Sequence, residues 1–252
     1  MGGAFLAKVG EVSKVTIHQC PDYELSGLMA KINAGVDALG GWENFIRPGM
    51  KVLLKVNLIG PKASHTAAVT HAEFVRAITR ILKSQDCHVW IGDSAGGAIA
   101  GIAPTARALE VSGMQKVAYE EGAEIKNFDR EGVVAVPSEV HPGQPMYLAK
   151  PMFEADLVIN LPKLKTHMSA IYTGAYKNLF GCIPGLRKAE YHKLAPNPRA
   201  LGQVLLDVHR GAPKVGLHIM DGIIAMDGNG PTSGHVYPAR KILCSTDPLA
   251  LD

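Results

Sequence analysis

Short apolar runs rich in β-branched residues alternate along the chain with stretches whose apolar positions recur every three to four residues. That alternation predicts an α/β fold with a mostly parallel sheet flanked by helices, and it argues against a sandwich or a bundle. Strands are expected at Lys14 to His18, Lys51 to Val56, His88 to Gly92, Ala123 to Phe128, Asp156 to Leu161, Val215 to Met220 and Lys241 to Ser245. Helices are expected over Leu25 to Leu39, from Thr70 onward, and over Thr105 to Glu121, Ala170 to Leu179 and Arg199 to His209. The helix at Thr70 is the best marked, because Thr70 and Glu73 have capping-box spacing while Phe74, Ile78, Ile81 and Leu82 share one face. Prolines and glycines between Gly132 and Lys150 predict a small inserted region of short strands and turns. At the end of the chain Asp247 is placed to cap a helix whose first position is Pro248. Only four residues follow that proline, too few for a useful helix, so residues 1–252 read as a single α/β domain whose natural chain continues.

Composition narrows the class. A chain of 252 residues with 47% apolar side chains can bury a core without metal or disulfide staples, which removes disorder, collagen and coiled coil. No apolar run approaches a membrane span and Met1 to Val12 does not resemble a signal peptide, so no membrane partner is expected. The four cysteines (20, 87, 182 and 244) stand far apart and form no C-x-x-C, so a reducing, cytoplasmic setting is the default and no metal ligand set is spelled out. The net charge of +3 is too mild for a nucleic-acid partner. Its distribution matters more: between Lys163 and Lys214 nine basic residues face two acids, an imbalance that would draw in a small carboxylate or phosphate.

Five polar clusters follow expected strands directly: Lys55 with Asn57, Gly92 to Gly97 with Asp93 and Ser94, Lys163 to His167, Asp221-Gly222, and Asp247. In an open parallel sheet all strand exits lie on one edge, where ligands bind, so the five converge on a candidate site. The Gly92-Asp-Ser-Ala-Gly-Gly run can be read as a phosphate-cradling loop, as a nucleophile elbow around Ser94, or as a tight strand-to-helix turn. It lacks the Lys-Ser/Thr of a P-loop. Asp221, Asp227 and Asn229 lie among turn-forming glycines and would hold a divalent cation with Asp93, orient a polar substrate group, or simply make turns.

The richest stretch runs from Lys163 to His192, with four lysines, Arg187, two histidines and Asn178. Lysines crowded together are costly unless an anion, a metal-bound ligand or a cofactor phosphate neutralises them, and crowding lowers their pKa toward general-base values. Lys177 sits beside Asn178 in an apolar helical context, where an unpartnered lysine is unusual. His167 and His192 lie in this stretch, whereas His18, His88 and His218 fall in expected strands and read as structural.

The motifs KVNL (55–58), GDS (92–94), D-x-V-I-N-L-P-K-L-K-T-H (156–167), Y-T-G-A-Y-K-N-L-F-G (172–181), I-P-G-x-R-K (183–188), D-G-I-I-A-M-D-G-N-G-P (221–231) and D-P-L-A-L-D (247–252) resemble the DUF362 family. The resemblance spans about residues 51–252. It implies an electron-transfer partner or a ferredoxin-like domain with a 4Fe-4S cluster, and hence oxidoreductase chemistry, only in a longer parent, because the cysteines of that domain are absent here. A looser likeness, Gly174-Ala-Tyr-Lys177 with Pro184-Gly185 and His192, is similar to the nickel-dependent lactate racemase family and implies Lys177 as cofactor attachment and His192 as nickel ligand.

The resulting expectation is a basic crevice for a small anionic metabolite or cofactor. Lys163, Lys165 and Lys188 neutralise the anion, Lys177 or His167 moves a proton, with His192 joining Lys177 in the racemase alternative, and Asn57 with Asn178 orients the ligand. Lys55, Asp93, Ser94, Asp221 and Asp227 complete the expected ligand-binding set. A lysine- and histidine-dependent racemase or epimerase, and a ligand-binding module without catalysis, remain as alternatives.

Overall fold

Val52, Leu54, Val89, Ile91 and Ile159 point to one face of a sheet, while Leu53, Trp90 and Val158 point to the other, and all are buried. Strands apolar on both faces need cover on both, which is why the sheet is sandwiched by helices. The structure, a computed structural model, describes residues 12–96, 104–168 and 170–252. In chain order the elements are β1 (Val15–Gln19), α1 (Leu25–Asp37), β2 (Lys51–Lys55), α2 (Ala72–Ser84), β3 (His88–Asp93), α3 (Thr105–Val111), α4 (Met114–Glu121), β4 (Glu124–Asn127), β5 (Val133–Val136), β6 (Met146–Ala149) and α5 (Pro151–Glu154). They continue with β7 (Leu157–Asn160), β8 (Lys163–His167), β9 (Ile171–Thr173), α6 (Ala175–Leu179), α7 (Arg187–Leu194), α8 (Pro198–Arg210), β10 (Val215–Asp227), β11 (His235–Tyr237), β12 (Lys241–Ser245) and α9 (Pro248–Leu251).

The sheet runs β1-β12-β10-β7-β2-β3-β4. It is parallel from β10 through β7, β2 and β3 to β4, and β12 pairs antiparallel with both β10 and β1. The α/β class and mostly parallel sheet therefore stand as expected, and the inserted region is the separate antiparallel pair β5-β6. Register aligns Gly92, Lys55 and Asn160 with His218, so the exits of β2, β3 and β7 share one edge; β10 runs past that edge to Asp227, which leaves Asp221 within a strand, and β12, being antiparallel, carries Asp247 away from it. Helices α1, α2 and α4 cover one face, and residues of α6, α7 and α8 cover the other. Among the described residues no helix is long and apolar enough to cross a membrane.

Four local expectations change. The cap of α2 is His71, whose Nδ1 accepts from Glu73 N. Thr70 instead turns inward, accepting from Asn57 N and donating to Leu161 O, both at 2.8 Å, so tertiary hydrogen bonds outcompete the local cap. The expected helix over Thr105 to Glu121 is two helices, broken at Gly113 with φ +85°. The expected helix over Ala170 to Leu179 begins only at Ala175, because Ile171–Thr173 pairs with β8 and because Gly174 before it is extended. The segment Lys163 to His167, read as a polar strand exit, is itself a strand alongside the second half of β10, which runs on to Asp227. Asp247 does cap a helix, accepting from Leu249 N and Ala250 N.

Thr70→Val keeps the shape of this buried side chain but strands the Asn57 N–H and the Leu161 carbonyl. The substitution is expected to cost about 2 kcal/mol in urea unfolding, whereas Thr70→Ser, which keeps the hydroxyl, costs about 1 kcal/mol or less.

Candidate functional site

The parallel strands deliver their last side chains into one buried cluster. Lys55, at the end of β2, is fully buried and lies 2.7 Å from Oδ1 of Asp93 at the end of β3. The Lys55 ammonium also donates to the carbonyls of Val56 and Asn178. Asp93 accepts from Leu58 N and Ser94 N. Burial pushes the Asp93 carboxyl up, against the pull of Lys55 and Lys188. Gly181 roofs the pair, and a Cβ there would collide with Asp93 Oδ1 and come within 2.8 Å of Lys55 Nζ.

Above this pair lies a cavity of about 260 Å³. Asn57, Asp93, Ser94, His167, Lys177, Asn178, Lys188 and His192 contribute its polar lining, and Leu58, Ile59, Phe180, Leu186 and Ala189 its apolar lining. The structure thus brings together eight of the residues expected at the site, with Lys55 directly beneath. An amide ladder fixes the polar wall. Asn57 Nδ2 donates to Asn178 Oδ1, and Asn178 Nδ2 donates to Asn160 Oδ1 and the Lys55 carbonyl. Asn160 Nδ2 in turn reaches Ala175 O and Nδ1 of the buried His218. Among the described residues Asn57 Oδ1 is buried without a partner.

The lysines divide by their partners. Lys188 donates to the carbonyl of Ser94, to its hydroxyl and to the Ile183 carbonyl, which satisfies all three ammonium protons. Lys163 binds Asp221 Oδ2 at 2.7 Å and the Tyr23 hydroxyl at 3.0 Å. Lys165 donates to the carbonyls of Ala68 and Pro231. Lys177 has no hydrogen-bond or ion-pair partner among the described residues, and its Nζ rests 4.7 Å from the centre of the Phe180 ring. Burial and the ammonium groups of Lys188 and Lys55 bring Lys177 down to about 8. Burial likewise lowers Lys188 to about 8 and Lys165 to about 7. His167 falls to about 3 through burial and the nearby Lys177 and Lys165, and burial and Lys177 also lower His192, so both imidazoles are neutral at pH 7. The His192 ring packs edge-on against Phe180 at 5.1 Å.

Several expected roles move. Lys163 and Asp221 neutralise each other, and neither they nor Lys165 line the cavity. Asp227 sits 3.5 Å from His235 at an exposed hairpin, so Asp93, Asp221 and Asp227 do not converge on a cation. The glycine loop is no phosphate cradle over Ser94 to Gly96. Its backbone N–H groups are already donated to Asp93, to Thr105 and to the Leu58 carbonyl, and Gly97 lies outside the described residues. Ser94 donates to Asp129 Oδ1 and accepts from Lys188 and Gly185 N, so it ties three segments together and has no histidine partner. The four cysteines are buried and form no disulfide, and the described residues hold no cluster of His, Cys, Asp or Glu that fits a metal or an iron–sulfur group.

Sequence reasoning gave no site role to Asp129, Asn160, Phe180, Gly185 and Asp252, although the last four lie within motifs it singled out. Asp129 and Asn160 lie at or just past expected strand ends, so the strand-exit rule could have found them. Asp252 could not be found that way: its carboxylate accepts from Ala175 N and Tyr176 N and caps α6, the short helix that carries Lys177. Burial raises that carboxyl to about 6.

The family described as "Domain of unknown function (DUF362)" matches residues 52–252. A thylakoid-associated protein of Synechocystis sp., sll1697, is 34% identical over 244 residues, covering 96% of this chain and 73% of that protein. Among solved structures, a Thermotoga maritima protein aligns with a TM-score of 0.52 at 15% identity, over 83% of this chain and 53% of the other. The lactate racemase apoprotein of Thermoanaerobacterium thermosaccharolyticum aligns with a TM-score of 0.53 at 12% identity, over 84% and 49%. The chain therefore spans about half the length of these solved structures, and the likeness is one of fold.

Asp93→Asn leaves Lys55 buried and unpaired and is expected to cost about 3 kcal/mol in urea unfolding. The double variant Lys55→Met, Asp93→Leu removes both charges and recovers most of that loss, which a double-mutant cycle measures.

Proposed function

The chain belongs to the DUF362 family, and on that premise we propose that its cavity binds a small anion, with Lys177 as the cation that meets the negative charge. The observation behind this reading is the contrast among the five lysines at this edge of the sheet. Lys55, Lys163, Lys165 and Lys188 all donate to oxygens, while Lys177 lines the cavity with none. The Phe180 face offsets only about 1 kcal/mol of the lost hydration. Around the cavity, three ammonium groups (Lys55, Lys177, Lys188) oppose two carboxylates (Asp93, Asp129), so a bound anion completes the balance. Lys188 contributes potential and no contact, because its protons are occupied. Asn57 Oδ1, an acceptor without a donor, suits a ligand hydroxyl or amine.

A second reading, proton transfer in the manner of a racemase or epimerase, draws on the neutral His167 and His192 in the same cavity as Lys177. They are bases beside a lysine that can give or take a proton near neutral pH. The racemase likeness would give Lys177 and His192 cofactor-attachment and nickel-ligand roles, but the described residues hold no side-chain cluster that fits a metal, so this reading rests on proton transfer by Lys177 and the histidines alone. Binding without turnover is the third reading.

Two outcomes test the anion site. Oxalate, whose charge is fixed above pH 5, is expected to bind about tenfold more weakly at pH 9 than at pH 7 by calorimetry, because Lys177 loses its proton near pH 8. Unchanged affinity contradicts the assignment. Lys177→Met is expected to abolish oxalate binding and yet stabilise the protein. The folded-state pKa of Lys177 lies below its unfolded value, so the unfolded chain holds this proton more tightly and the charged lysine destabilises the fold. That penalty is complete below about pH 8 and fades toward pH 10.5, so the variant gains about 3 kcal/mol at pH 6 and about 1 kcal/mol or less at pH 10.

A further inference from the structure

We propose that Lys177 condenses with carbonyl compounds, its Nζ forming an imine with a small 2-oxo acid held in the cavity. The inference rests on the reading of the cavity as an anion site and deepens it by naming the class of anion. An imine-forming lysine needs an amine whose lone pair is not engaged, room beside it for the carbonyl carbon, a charge to hold the acid group, and a base to carry protons.

Lys177 meets the first requirement as no other lysine of this cluster does. The ammonium groups of Lys55 and Lys188 are each held by three oxygens, and those of Lys163 and Lys165 by two, so their nitrogens are oriented into protein. Lys177 Nζ instead lies over the Phe180 ring at the cavity wall. A volume of about 260 Å³ lies below the range that encloses drug-sized ligands, and it admits a small metabolite. Lys188 and Lys55 supply positive potential for a carboxylate without competing as nucleophiles. His192, packed on the same Phe180 ring, is the base.

The chemistry closes without an oxidant or reductant. The Nζ lone pair attacks the carbonyl carbon, the C–N bond forms, and the C=O π pair moves to oxygen, which takes a proton. The carbinolamine then loses that hydroxyl as water while the C=N bond forms. His192 accepts the proton leaving nitrogen and returns one to the departing hydroxyl. The net change is one imine formed and one water released.

Reductive trapping is the test. The full chain is incubated with pyruvate and cyanoborohydride near pH 7, and adducts are located by intact mass and peptide mapping. The expected result is one dominant adduct on Lys177, formed on the order of tenfold or more faster than on any exposed lysine. Oxalate slows it, and Lys177→Arg, which keeps the charge, still binds oxalate but forms no such adduct. Adducts scattered over exposed lysines with Lys177 unmodified, while oxalate still binds, overturn the imine and leave the anion site standing. A Lys177 adduct that forms at full rate with no oxalate binding overturns the anion site and leaves the lysine chemistry standing.

Discussion

Two opposite charges with almost no exposure, the Lys55 ammonium and the Asp93 carboxylate, meet 2.7 Å apart where adjacent parallel strands end. Burying either alone would cost several kcal/mol, so each is tolerable only in the presence of the other. The pair also organises its surroundings. Asp93 holds the chain after β2 through Leu58 N and begins the loop after β3 through Ser94 N. Lys55 reaches across to the Asn178 carbonyl and so anchors α6 over the sheet. Only glycine at position 181 lets that helical segment approach closely enough. The cavity is what remains between these anchored segments.

Seen this way, the lysine-rich edge has two populations that do different work. Lys55, Lys163, Lys165 and Lys188 are internal crosslinks, long side chains whose ammonium groups gather carbonyls and carboxylates from distant loops. Their stems pass through apolar surroundings and their heads are satisfied, so they contribute rigidity and a background potential. Lys177 has the same surroundings without the oxygens. An uncompensated cation is a local loss of stability, and such losses concentrate where a ligand supplies the missing partner. The amide ladder from Asn57 through Asn178 and Asn160 to His218 makes the adjoining wall rigid, because Asn178 and Asn160 have both donor and acceptor engaged and Asn57 is held through its Nδ2.

The layered fold was legible in the hydrophobic pattern because strands such as Lys51–Lys55 and Leu157–Asn160 are apolar on both faces and α2 has one apolar stripe. What escaped was β8. Its residues, KLKTH, carry alternate positive charges, and a buried strand of that composition makes sense only once Asp221, Tyr23 and the Ala68 and Pro231 carbonyls are in place around it. The same information was missing for Thr70, whose capping-box spacing gave way to two long-range hydrogen bonds. For the site, the strand-exit rule gathered Asn57, Asp93, Ser94 and His167 because a parallel sheet fixes where exits lie. It overreached at Lys163 and Asp221, because proximity to an edge does not say whether two charges face a cavity or each other.

The ionisation of one nitrogen, Nζ of Lys177, decides what the cavity can bind, and NMR observation of isotopically labelled lysine side chains reads it directly. A titration with Lys177 assigned through Lys177→Arg should show that amine deprotonating near pH 8, with the transition displaced upward when oxalate is present. A Lys177 that titrates at the ordinary lysine value, indifferent to oxalate, would show that its charge is already compensated and that the cavity has no use for an anion.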